Sequence, residues 1–142
     1  MRRRLLLLLL GTAVFGLMVG CGAGFVASLP SMYGSWTDGT NFMSVHAPGS
    51  QTRQTGDQLE IYYPSTGGGS DWYLVGSAVK SGNTWTGTFE VMSGPTTRQG
   101  SPLSLGANVT VTLHLTSASA MHTTISATGA TTISANWTKV VD

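Results

Sequence analysis

The chain has one cysteine in 142 residues, so no disulfide can form within it and its fold must be held by packing. Charge is scarce too, with Asp, Glu, Lys and Arg supplying 9% of the residues. Beyond Cys21 there are four basic residues (Arg53, Lys80, Arg98, Lys139) and six acidic ones (Asp38, Asp57, Glu60, Asp71, Glu90, Asp142), a formal charge of −2. With no basic run to follow a phosphate backbone, nucleic acid is not an expected partner. No Gly-x-Ser-x-Gly elbow is present to expose a serine nucleophile. Glu60 and Glu90 fall on polar strand faces and would do glycosidase chemistry only if the fold set them across a cleft. Gly67-Gly68-Gly69 leads into a strand and not into a helix N-terminus, so it reads as a hairpin turn, not a phosphate loop. No enzyme and no cofactor are expected.

The cysteine that is present carries the strongest signal. Arg2, Arg3 and Arg4 precede an apolar run from Leu5 to Val19, followed by the small residues Gly20, Cys21, Gly22, Ala23 and Gly24. Leu17-Met18-Val19-Gly20-Cys21 resembles the lipobox of bacterial lipoprotein signal peptides, although Met18 stands where Leu is usual. The resemblance implies removal of residues 1–20, acylation of Cys21, and a membrane as the first partner. Two rivals remain: an uncleaved anchor, since Leu5 to Ala27 is long enough to span a bilayer, and ordinary secretory cleavage near Ala23 or Ala27. All three place the remainder outside the cytoplasm, and Gly22 in place of an acidic residue favours the outer membrane of a diderm host.

Removal of the leader leaves one domain by length, read as a tether over 21–32 and a folded region over 33–142. That region alternates period-two apolar runs with turn clusters and shows no helical period. The runs are Tyr33 to Thr37, Asn41 to His46, Gln58 to Tyr63, Trp72 to Val79, Thr84 to Met92, Asn108 to Thr116, Met121 to Ala127 and Thr131 to Val140. In the last three, Val109, Val111, Leu113, Leu115, Met121, Ile125, Ile133, Ala135 and Trp137 share one face. A loop Ser117-Ala118-Ser119 sets Leu115 opposite Met121 and Val111 opposite Ile125. In the middle runs, Tyr73, Val75 and Val79 are assigned to the face of Trp85, Phe89 and Val91, with Trp72 and Leu74 opposite. About eight antiparallel strands with an inward face favour an all-β up-and-down barrel, since closure removes edges; a β-sandwich is the alternative.

Gly56-Asp57, Ile61-Tyr62-Tyr63, Gly67-Gly68-Gly69, Asp71-Trp72-Tyr73-Leu74-Val75, Gly87-Thr88-Phe89 and the strand from Asn108 to Leu115 form an ordered pattern. It resembles a family of bacterial secreted and lipoprotein β-domains of undetermined function, over about two-thirds of the mature chain. The resemblance implies an antiparallel β-fold and no catalytic residues. Gly34-Ser35-Trp36 is similar to the Gly-x-Trp of calycin barrels (lipocalins and avidins), and the resemblance implies that Trp36 plugs one end and that a small apolar ligand is carried inside.

Two further constellations stand out. His114 and His122 fall opposite each other on the outward hairpin face, where two imidazoles could begin a metal site. Asn136 is a poor third ligand and no Cys, Asp or Glu completes the shell. Tyr62, Trp72 and Leu74 form either an exposed binding surface or a patch buried under a loop; exposed aromatics would suit a protein or glycan partner. A non-catalytic binding module is therefore expected first, and a calycin-like carrier second.

Overall fold

A computed structural model describes residues 31–48, 58–65, 70–95 and 100–140. The leader, Cys21, the Gly56-Asp57 turn and the Gly67-Gly68-Gly69 turn lie outside the described residues. Eight strands follow in order: β1 (Gly34–Thr37), β2 (Phe42–His46), β3 (Leu59–Tyr63), β4 (Trp72–Ser81), β5 (Thr84–Ser93), β6 (Asn108–Ser117), β7 (Ala120–Ser126) and β8 (Ile133–Lys139). Each pairs antiparallel with the next, and β8 returns to β1 to close a barrel.

Following the pairings once around the barrel returns to β1 displaced by about 12 residues, the shear of the sheet. At ordinary strand spacing and rise this tilts the strands by about 45° and sets a backbone radius of roughly 9 Å. So wide a barrel needs large side chains to fill it, and aromatics supply them. Trp36, Tyr63, Trp72, Trp85, Phe89 and Trp137 belong to one buried cluster to which all eight strands contribute. Leu103, from the β5–β6 connection, and Met32 complete it. Met32 is 1% exposed and its carbonyl accepts the Trp36 Nε1–H at 2.9 Å, so the folded domain begins within the stretch read as tether.

The face assignment along β4 requires correction. Gly82-Asn83 is a two-residue turn that pairs Ser81 with Thr84 and Lys80 with Trp85. Trp85 therefore shares its side of the sheet with Lys80, Ala78 and Gly76, and Leu74 with Val91. Trp72 and Leu74 point into the barrel, while Tyr73 and Val75 lie on the outer side and are buried there. The apolar run is buried on both faces, so alternation alone could not choose between them.

Glycine explains how β4 and β5 stay close as they curve. A Cβ at Gly76 would overlap the Thr88 carbonyl oxygen and crowd Phe89 Cα, and one at Gly87 would overlap the Ser77 carbonyl oxygen. Only hydrogen fits at either position.

Candidate functional site

The barrel interior is occupied. Trp36 is fully buried and Trp137 is 3% exposed, with Trp85 and Tyr63 nearly as enclosed. The Trp137 indole Nε1–H donates to Thr123 Oγ1 at 2.8 Å, and Tyr63 meets Trp137 edge to face with centroids 5.7 Å apart. Burial, and secondarily the negative charge of Asp38, push the Tyr63 hydroxyl up to about 12. Lys139 places Nζ 5.3 Å from the Trp36 ring centroid and donates to the Ser31 carbonyl, packing this tryptophan from β8. Lys80, on β4, places Nζ 4.9 Å from the Trp85 ring centroid.

The exposed patch of Tyr62, Trp72 and Leu74 is not built. Leu74 is fully buried and Trp72 is 7% exposed, its ring lying over Gly94. Tyr62 stands alone of the three on the outer wall, where it stacks on Tyr73 at 4.9 Å and receives the edge of His46 at 5.5 Å. Glu60 and Glu90 flank Val75 on one outer rung, two strand spacings or about 10 Å apart along the backbone. Glu60 is 2% exposed, so a substrate cannot reach it in this conformation.

The outer wall over β5 to β8 is different in kind. Rungs run Thr88–Thr110–Ser126, Thr86–Thr112–Thr124–Ser134 and Thr84–His114–His122–Asn136. These eleven positions present hydroxyls, imidazoles and a carboxamide, with no Lys, Arg, Asp or Glu among them. Cross-strand hydrogen bonds order the array. Thr86 and Thr112 hydroxyls lie 3.3 Å apart, and Thr84 Oγ1 is 2.8 Å from His114 Nδ1. His122 uses both ring nitrogens, Nδ1 to Asn136 Oδ1 at 2.8 Å and Nε2 to Ser134 Oγ at 3.1 Å. The two histidines do pair as the hairpin register requires, but His122 has no nitrogen left for a metal in this arrangement. Among the described residues no three His, Cys, Asp or Glu side chains gather as a metal site would need.

At the edge of this array the wall opens. β1 is four residues long, and its ladder with β8 consists of Trp36 opposite Lys139 and Thr37 opposite Thr138. After Thr37 the chain turns: Asp38 N–H donates to the Asn41 carbonyl, while Asp38 Oδ1 accepts the N–H groups of Thr40 and Asn41 at 2.9 and 2.7 Å. The Asn41 side chain donates to Oδ2 at 3.0 Å. These bonds, that of the Asn41 side chain foremost, hold the exposed Asp38 carboxyl below its ordinary range and fix its position. An open cleft of about 540 Å³ results, lined by Thr37, Asp38, Gly39, Thr116, Ala120, Asn136 and Thr138, with the buried Met121 and Trp137 contributing to its floor. Among the described residues Asp38 is the single ionisable group lining it.

No family model, no curated protein and no solved structure matches this chain. Among the described residues no helix is long and apolar enough to cross a membrane.

Proposed function

We propose that the protein is a lipid-anchored domain of the bacterial cell envelope, held to the membrane through Cys21, that works without catalysis by binding a partner on its outer wall. The observation that carries this reading is the contrast between the two sides of the barrel. The interior is filled by aromatic side chains from β1, β3, β4, β5 and β8 and by aliphatic ones from the other strands, which weighs against an apolar cargo. Outside β5 to β8, the three rungs from Thr88 to Thr84 carry an ordered, uncharged field of hydrogen-bonding groups, with Glu90 at its margin. Soluble proteins ordinarily spread both signs of charge over such a surface to resist association. An uncharged field of this extent suits contact with a neutral polar surface, such as protein backbone or glycan.

The test uses the full-length chain in its native host. Cys21→Ser, with residues 1–20 exchanged for a secretory leader whose cleavage needs no acylation, removes the anchor and should move most of the protein out of the membrane fraction, leaving a part that still sediments with envelope material. Adding Thr112→Arg places a cation at the centre of the array and should release that remainder. If single and double variants partition alike, the wall is not the binding surface. If native mass spectrometry of the wild-type chain shows an extra apolar mass that is lost on denaturation, the carrier reading replaces this one.

A further inference from the structure

The ladder between β1 and β8 ends early, and its end leaves backbone groups facing the cleft. Val140 N–H donates to the Ser35 carbonyl on β1, whereas Lys139 N–H donates to the Ser119 carbonyl on the β7 side. In an antiparallel strand the N–H and C=O of one residue point to the same side and neighbours alternate. The backbone groups of Thr138, Asn136 and Ser134 therefore point toward β1, and those of Trp137 and Ala135 toward β7. Thr138 is met by Thr37. Asn136 and Ser134 would be met by Gly39 and Asn41, but the turn at Asp38 has carried the chain out of register. Among the described residues no strand pairs with Ile133 to Trp137 on this side.

Sheet edges in proteins are ordinarily blunted by lysine, proline or a bulge. The stretch Ile133-Ser134-Ala135-Asn136-Trp137 has no charge and no proline, and its pairing with β7 is regular. Asn136 and Ser134 are exposed, and Asn136 lines the cleft.

We infer that the β8 edge is a strand-addition site, which takes the amino-terminal end of an extended peptide antiparallel to β8 with its ammonium group at Asp38. Each residue of an extended chain offers a C=O and an N–H at the spacing that one edge residue requires, so two peptide residues satisfy Asn136 and Ser134. The direction follows from charge. Asp38 lies where β1 stops, at the Thr138 end of the free edge, and its Oδ2 has one protein donor and room for another. An ammonium there pairs with the Asp38 carboxylate, whereas an anion is repelled. The inference rests on the outer-wall reading and names the partner as polypeptide, not glycan.

The probe is a hexapeptide of alternating threonine and valine with a free amino terminus, titrated to millimolar concentration into the full-length chain in a zwitterionic, non-glycosidic detergent. Backbone amide resonances of Ser134, Asn136, Asp38 and Gly39 should shift together. Acetylating the peptide amino group should weaken binding about tenfold, as loss of a charged hydrogen bond does. Asn136→Pro removes the edge N–H without touching the β7 ladder and should abolish the shifts; Asn136→Ala retains that N–H and should bind within a few-fold of wild type. Asp38→Asn keeps an oxygen for the turn and should reproduce the acetylation effect. Failure of the free peptide to shift these amides overturns the inference, as does indifference to acetylation or to Asn136→Pro. Chitotriose shifting the same amides in place of the peptide would overturn it in favour of a glycan. Self-association of the chain without peptide, lost in Asn136→Pro, would overturn it in favour of a second copy. In every such case Thr112→Arg still tests the outer wall, so the two failures are distinguishable.

Discussion

Thr123 is one of two buried polar or charged side chains among the described residues, and its hydroxyl has a defined task. It accepts the Trp137 indole N–H at 2.8 Å, with Thr123 1% and Trp137 3% exposed. Thr123→Val preserves shape and volume but leaves the indole N–H without a partner and without access to water. An orphaned buried donor costs about 1–3 kcal/mol. In a domain of this size each kcal/mol lowers the melting temperature by roughly 4–8 °C, so a drop of about 5–20 °C is expected. Trp137→Phe removes the donor but also a large part of a ring from the core, and so destabilises on its own account. The informative quantity is the cycle: the double variant should be less destabilised than the sum of the singles by about 1 kcal/mol, since the orphan is gone. Thermal unfolding of the four proteins by circular dichroism supplies the numbers. Additive effects, or a Thr123→Val melting point within about 2 °C of wild type, would refute a buried Trp137–Thr123 bond. The site depends on the outcome, because Trp137 lies in the floor of the cleft beside Asn136.

Gly76→Ala should cost more than about 3 kcal/mol, because its Cβ meets backbone atoms of Thr88 and Phe89 that cannot rotate away. Gly82→Ala, at a left-handed φ of 58° with nothing within 4 Å, should cost only about 1 kcal/mol, and urea midpoints will rank the two. Tyr63 sets an alkaline limit. Its folded hydroxyl titrates at about 12 against an ordinary 10.0, so the folded state holds the proton where the unfolded state has lost it. Its contribution is complete below pH 10 and is lost as pH rises toward 12, up to about 2 kcal/mol. Tyr63→Phe should flatten that part of the stability curve; an unchanged slope between pH 10 and 12 would show that Tyr63 is not its source. Zinc should leave the wild-type melting curve unmoved, since Ser134 and Asn136 occupy both His122 nitrogens. A zinc-dependent rise that His122→Ala removes would show that the imidazole abandons them.

What could be read from the sequence, and what could not, differ by single residues of turn length. At the β6–β7 hairpin the loop Ser117-Ala118-Ser119 predicts Val111 opposite Ile125 and Leu115 opposite Met121, and both pairs form. The turn itself is two residues long, but a register shift between Leu115 and Ser117 restores the parity of a three-residue loop. Beside the β4–β5 turn there is no such shift, the ladder being regular from Ser81 back to Leu74. Taking Ser81-Gly82-Asn83 as a three-residue loop sets Val79 opposite Trp85, whereas the actual turn sets Lys80 there, and one residue turns every side chain of β4 to the other face. Clean alternation in β6 to β8 would have exposed such an error; the run Trp72 to Val75, apolar on both faces, could not. The displaced binding patch follows from that single step, since Trp72 and Leu74 go inward with it.

The cleft was hidden for a related reason. Asp38-Gly39-Thr40-Asn41 is legible as a turn, with an Asx side chain to cap it and a glycine at φ 96°. Nothing near it says which strand is left without a partner when the turn occurs. That depends on the shear of the whole barrel, which brings Thr37 against Thr138, a hundred residues later in the chain, and not against a residue two or four positions earlier. Had β1 run two residues further before turning, Gly39 would have met Asn136 and closed the edge. The length of β1 is thus a local property with a distant effect, and lengthening it is a direct way to seal the site. An insertion of two threonines after Thr37 and two after Asn41 extends both arms of the β1–β2 hairpin and preserves its parity. The added residues should pair with β8, protect the Asn136 amide from hydrogen exchange, and exclude the peptide. If the Asn136 amide of the unmodified chain is already as protected as that of Trp137, the edge is not open and the strand-addition site does not exist.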